Sequence, residues 1–344
     1  MKNRGGEITS RIDFVDLVKG ICIILVVMSH VGGIFDKIDY HHMLACFRMP
    51  LYFFISGIFF KSYEGFFGFL LRKVNKLLIP FLFFYFSSFL LMFLFSKLIP
   101  GLFHLPLRIE ELLYIFQNHE LIRYNPPIWF LVALFNCNIL FYVVHLLRQN
   151  HLYLMFIAIF VIGAIGFTLG KYGIPLPCYL DVAMTAMPFY VCGFWIRRYN
   201  FFLYPHHRFD KSIPLIAAAC VIVMCFTATN IGMRTNWYPG NIFQTYLAAF
   251  CGIIFIMVVG KSFRTIPFVS YIGRYSVVTL GIHGPLSHFL YLFVSMYIHQ
   301  SEWSSVLIFL LLIMICRLVT PVFVKVFPHL VAQKNLIKIY QRKQ

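Results

Sequence analysis

Apolar stretches of about 20 residues recur from one end of this chain to the other, each long enough as a helix to cross a hydrocarbon layer of about 30 Å. In that solvent every backbone N–H and C=O must be satisfied inside the protein, which restricts spanning segments to helices or closed barrels. The runs are continuous rather than alternating, so helices are the expectation. About ten spans are predicted: Phe14–Phe35, Met43–Phe60, Leu77–Leu98, Pro127–Leu147, Leu152–Gly170, Tyr179–Ile196, Ser212–Ile231, Asn241–Gly260, Val269–Tyr297 and Ser304–Phe327. The ninth contains Pro285, which frees a backbone carbonyl and predicts a kink or break there. With 60% hydrophobic and only 12% charged residues among 344, an ordinary soluble globule is excluded. The expectation is an all-α polytopic membrane bundle of about ten transmembrane helices forming a single integral-membrane domain over 1–344, with a core at 11–327 and a basic tail at 328–344.

The positive charges orient this bundle. If the amino terminus is cytoplasmic, most of the 29 Lys and Arg residues fall in loops on that same side, as the positive-inside rule requires. Both termini are then cytoplasmic. The net charge of +17 does not indicate nucleic acid, because the cations lie in short loops beside membrane spans, where anionic headgroups are the natural partner. The first span is preceded by basic residues but lacks a small-residue cleavage site, and is read as retained. Eight of the nine cysteines fall in apolar runs and no C-x-x-C pair occurs, so they read as small buried hydrophobes and no metal is predicted.

Chemistry concentrates in a few segments. In Asp16-Leu17-Val18-Lys19 through Ser29-His30, the lysine and histidine are eleven residues apart. Eleven residues turn a helix through about 1100°, nearly three full turns, and rise about 16 Å. Lys19 and His30 therefore share a face, one near the membrane surface and one deep within the layer. Ionisable groups inside hydrocarbon normally face a polar cavity. The plainer alternative is a snorkelling lysine and a histidine that only bonds between helices.

Further along, Phe47-Arg48-Met49-Pro50 opens an aromatic helix that ends at Ser56-Gly57, a small pair suited to close helix approach. Arg48 reads either as an interfacial anchor or as a donor facing the same cavity as His30. The next loop, Leu71-Arg72-Lys73-Val74-Asn75-Lys76, holds three cations that fix topology, touch anionic lipid or receive phosphates. Trp129, after Pro126-Pro127, sits where tryptophan anchors a span at the outer interface. Ser276 and His283 follow in the ninth span, while His41-His42 and His206-His207 read as solvated loop pairs. No P-loop, zinc helix, nucleophile elbow, dinucleotide fingerprint or internal repeat is present.

These motifs, in order, resemble the acyltransferase-3 family of polytopic membrane acyltransferases. The likeness rests on D-x-x-K-G-I…V-V-x-x-H, F-R-M-P-L-Y-F-F-I-S-G, the basic stretch closing in L-L-I-P, W-F-L, and the late G-x-x-S…H, and runs from about Arg11 to about Pro285. It is strongest to the fucose 4-O-acetylase-like branch. The resemblance implies a bacterial inner-membrane enzyme that moves an acetyl group from cytoplasmic acetyl-CoA, its co-substrate, to a sugar hydroxyl of a surface glycan or a lipid-linked precursor. Lys19 and His30 take the places of the family's catalytic pair. Arg72, Lys73 and Lys76 would then bind coenzyme A phosphates with Lys19, while Asp16, Trp129, Ser276 and His283 are further candidates. An imidazole, titrating near neutrality, suits removal of the hydroxyl proton, and Arg48 is a candidate donor to the oxyanion. The rival class is a transporter or flippase of lipid-linked sugars, which accounts equally for the many spans and intramembrane cations.

Overall fold

The computed structural model describes residues 12–37, 41–63, 65–98, 109–112, 122, 124–147, 151–199, 212–297 and 302–338. Its helices are α1 (Asp13–Val31), α2 (His41–Ile58), α3 (Phe66–Lys73), α4 (Ile79–Leu98), α5 (Trp129–Leu147), α6 (Leu152–Lys171), α7 (Leu180–Tyr199), α8 (Ile213–Thr227), α9 (Ile242–Phe263), α10 (Pro267–Arg274), α11 (Ser276–Tyr297) and α12 (Glu302–Val326). Among the described residues no strand forms, and an isolated bridge between Gly232 and Trp237 is the sole β feature. Arg11, the His206–His207 pair and residues 339–344 of the tail lie outside the described residues.

Each predicted span corresponds to a helix. Eight segments are long and apolar enough to cross a membrane: α1, the continuous unit 66–98, α5, α6, α7, α9, α11 and α12. The count of ten includes α8, which has only 15 residues, and α2, which carries His41, His42 and Arg48. Large apolar side chains such as Phe86, Leu90, Phe156, Phe160, Phe226, Phe243 and Leu318 point outward. So much exposed apolar surface suits a lipid surround rather than water. Cys192 and Cys225 also face outward, unlike the buried cysteines expected from their apolar context.

Two helix pairs come into backbone contact through reciprocal glycines. A Cβ at Gly57 of α2 would overlap the Tyr190 carbonyl of α7, and one at Gly193 of α7 would overlap the Phe54 carbonyl of α2. Gly20 and Gly273 do the same for α1 and α10, against the carbonyls of Val269 and Asp16. Without a hydrophobic drive between helices in lipid, such small-residue crossings gain their energy from dispersion contacts at short range.

Several local expectations are corrected. α1 ends at Val31 rather than Phe35, because Gly32 turns to φ 69° and a 3-10 turn follows at Gly33–Asp36. His30 therefore occupies the last turn of α1. Arg48 and Pro50 lie well inside α2, which starts at His41 instead of leaving His41-His42 in a loop. Arg72, Lys73 and Lys76 are helical: α3 passes through a π turn at Val74–Leu78 directly into α4. Pro80 has no N–H for the Lys76 carbonyl and its ring crowds that oxygen in a regular α-helix, so a widened turn just before it is physically apt.

The ninth span breaks at Tyr275, between α10 and α11, and α11 continues through Pro285. The carbonyl that Pro285 leaves free is that of Gly281, and the Asn125 Nδ2 donates to it at 2.8 Å. Asn125 also donates to the Ser88 hydroxyl at 2.7 Å and is fully buried.

The segment after α12 folds back on the π turn. The buried Asn75 accepts from the backbone N–H groups of Leu336 (2.8 Å) and Ile337 (2.9 Å) and donates to the carbonyls of Leu71 (2.8 Å) and Ile337 (3.1 Å). Lys76 Nζ donates to the Ala332 carbonyl.

Candidate active site

One stripe of α1 side chains runs through Lys19, Ile23, Val26 and His30, at spacings of four, three and four residues. Such spacing keeps a single helical face. The first three line a cavity of about 380 Å³ together with Tyr52, Ser56 and Phe59 of α2, Phe130 and Leu134 of α5, and Ser276, Val277 and Leu280 of α11. Pockets of this size accommodate drug-sized ligands. Arg72, Lys73 and Lys76 complete the lining at the Lys19 end, so four cations from two separated parts of the chain converge on one mouth. Apart from Tyr52, Ser56, Tyr63 and Ser276, the rest of the wall is apolar.

The cations are held by ring faces and by the fold. The Lys19 ammonium lies 5.5 Å from the centroid of Phe59, the Arg72 guanidinium 4.2 Å from Tyr63, and the Lys73 ammonium 5.3 Å from Phe69. Cation–π contacts of this kind fix a charge in place while leaving its N–H donors available. Arg72 Nε is buried and makes no hydrogen bond. Tyr63, the ring beneath Arg72, has φ 51° and is 41% exposed, so it belongs to the rim. Tyr52 ties the two inner stripes together: its hydroxyl donates to the Lys19 carbonyl at 2.9 Å and also bonds Ser276.

At the other end the cavity wall stops at Val26 and Leu280. One turn beyond each lies a histidine: His30 on α1 and His283 on α11, with ring centroids 5.3 Å apart and planes tilted by 54°. His30 is exposed, whereas His283 is fully buried. The His283 Nδ1 lies 2.8 Å from the Thr279 carbonyl, and its Nε2 is buried without a partner. Arg48 is close enough for its charge to act on His30, and its Nη1 is also buried and unpaired. Val26 and Leu280 thus separate the cation-lined space from the imidazole pair by a single helical turn.

The remaining candidates fall elsewhere. Asp16 sits on α1 where its backbone meets Gly273, outside the cavity wall. Trp129 is not an interfacial anchor; only 5% exposed, it packs 5.6 Å from Tyr179 and 6.1 Å from Phe130. The Pro126–Ile128 turn before it is itself inside the bundle, beside the buried Asn125, which pulls the indole inward.

One residue that the sequence reading counts only as an outer-loop cation also reaches the site. Arg234, in the turn Met233–Thr235, brings its charge to bear on both His30 and Tyr179. That turn is docked into the bundle by Asn236, which is buried in the left-handed region (φ 53°). Its amide donates to the Gly166 carbonyl at 2.9 Å, and its Oδ1 accepts from the Thr185 hydroxyl at 2.9 Å. A polar loop between α8 and α9 gives no linear cue to such docking.

The architecture and site together define a multi-pass helical membrane protein whose buried cavity joins a cationic mouth to an apolar channel. Residues 12–324 match the acyltransferase-3 family, described as an acyltransferase domain, and the chain belongs to that family. It is accordingly a membrane acyltransferase. No curated protein and no solved structure matches the chain.

Proposed function

We propose that the protein is an O-acetyltransferase of the bacterial inner membrane, of the fucose 4-O-acetylase-like kind. It moves acetyl from cytoplasmic acetyl-CoA to a hydroxyl of a surface glycan or its lipid-linked precursor. The observation that carries this reading is the convergence of Lys19, Arg72, Lys73 and Lys76 on one cavity whose α1 stripe runs on to His30. Coenzyme A is rich in phosphate oxygens, and several cations from different elements suit it better than a lone lysine would. With both termini cytoplasmic, as the loop charges favour, the cationic mouth opens to the compartment that supplies the donor. The apolar channel beyond suits the pantetheine arm and thioester.

In the reaction, His30 takes the proton of the acceptor hydroxyl as that oxygen attacks the thioester carbonyl carbon. The carbon–sulfur bond then breaks, and the departing thiolate receives the proton from the imidazolium, leaving an acetyl ester and free coenzyme A. The unpaired Nη1 of Arg48 suits the negative charge that develops on the carbonyl oxygen. For acetyl to pass from the cavity to His30, the side chains of Val26 and Leu280 must part, which a rotamer change achieves without moving a helix.

The test uses full-length protein in nanodiscs with labelled acetyl-CoA, alongside comparison of O-acetyl groups on surface glycans from cells with and without the gene. His30→Ala should abolish transfer while the protein still inserts and binds acetyl-CoA. Lys19→Ala should chiefly weaken donor binding. An active His30→Ala protein overturns the mechanism, and saturable sugar movement without acetylation or acetyl-CoA binding would make the protein a carrier.

A further inference from the structure

The second histidine has a geometry of its own. The Thr279 carbonyl can only accept, so the bond at 2.8 Å requires the proton of neutral His283 to sit on Nδ1. Its Nε2 is then an unprotonated lone pair, buried and without a partner. A buried acceptor left unmatched is destabilising, so its presence calls for a use. Among the described residues, His283 has a ring contact with His30, at 5.3 Å between centroids, close enough for a small movement of either ring to bring two ring nitrogens within hydrogen-bond distance. The planes are tilted by 54°, and the His283 Nε2 makes no hydrogen bond in this arrangement. Catalytic hydrogen bonds commonly tighten only once substrate is bound.

The geometry points to His283 as the residue that positions His30: its Nε2 accepts one ring N–H of His30 and thereby keeps the other His30 nitrogen free to take the acceptor's proton. The arrangement has the logic of a base oriented by a third group, with a neutral imidazole where hydrolases place a carboxylate. A neutral partner suits this depth, because a carboxylate would have to be desolvated at much greater cost. Thr279, one turn earlier on α11, fixes the tautomer by means of a backbone atom, so the device survives any side chain at that position.

The catalytic part of this inference rests on the proposed function, whereas the tautomer lock is measurable without turnover. Protein labelled with 15N-histidine in nanodiscs, with the His30 signals assigned by their loss in His30→Gln, should show two separate ring nitrogens for His30, one protonated and one not. In His283→Ala the two should move toward an average. In transfer assays His283→Ala should lower kcat about 100-fold with KM for acetyl-CoA unchanged. His283→Gln, whose amide oxygen can accept the same N–H, should recover at least tenfold. Averaged His30 signals in the native protein, signals unmoved by His283→Ala, or equal losses in the alanine and glutamine variants would each overturn the assignment. If the alanine variant does not fold, His283→Gln decides alone: it must keep the separated His30 signals. Absence of acetyl transfer by a native protein with His30 still locked would instead remove the proposed function.

Discussion

The partnership of Asn125 and Pro285 makes a quantitative prediction. Proline at 285 removes the helical bond to the Gly281 carbonyl, and the Asn125 amide replaces it from another element at 2.8 Å. Asn125→Ala deletes that bond and the one to Ser88, each about 1 kcal/mol net, and leaves a buried carbonyl unmatched at about 1–3 kcal/mol. Removing the Asn125 Oδ1, which is itself buried without a partner, offsets about 1 kcal/mol. The single variant should therefore lose about 2–4 kcal/mol. In a Pro285→Ala background, residue 285 again supplies an N–H to Gly281, so the same asparagine change should cost only about 1 kcal/mol. A double-mutant cycle, read by reversible unfolding in mixed detergent micelles, should return a coupling of about 1–3 kcal/mol in favour of the double variant. Additive costs would show that the asparagine does not stand in for the lost helical bond.

Gly57→Ala should force α2 away from the Tyr190 carbonyl and lower the yield of monodisperse protein on size exclusion, whereas Gly68→Ala, with no atom within 4 Å of the added methyl, should behave as the native chain. A well-folded Gly57→Ala protein of native stability would contradict the close crossing. Arg72→Gln and Lys73→Gln should each weaken acetyl-CoA binding about tenfold by calorimetry, with the loss shrinking in 1 M salt where charges are screened. Unchanged affinity in the pair would detach the cationic mouth from the donor.

The helical class and the span positions were legible because hydrocarbon imposes its length on every crossing segment, and the stripe through Lys19 and His30 followed from helical geometry alone. What could not be read were features set by packing between distant parts of the chain. The cations at 72, 73 and 76 look like a loop because basic residues usually flank spans; they are helical because Phe69 and Leu77 beside them are buried. Pro285 announced a lost bond but not its remedy, since the replacement donor is 156 residues away. Trp129 sits in an interface-like context that only the inward turn of Pro126–Ile128 reverses. The placement of Arg234 is invisible for the same reason: nothing linear says that the turn carrying it plugs into α6 and α7 through Asn236.

The clasp made by Asn75 bears on biogenesis. Its two distant partners, Leu336 and Ile337, are 261 and 262 positions downstream, so every helix has been synthesised before they are. Until then the widened turn bearing Lys76 has an open seam beside it, and that side of the vestibule is unfinished. Closure of the seam is thus a late assembly step, and a nascent chain halted after α12 would hold all its spanning helices yet lack the last piece of its doorway.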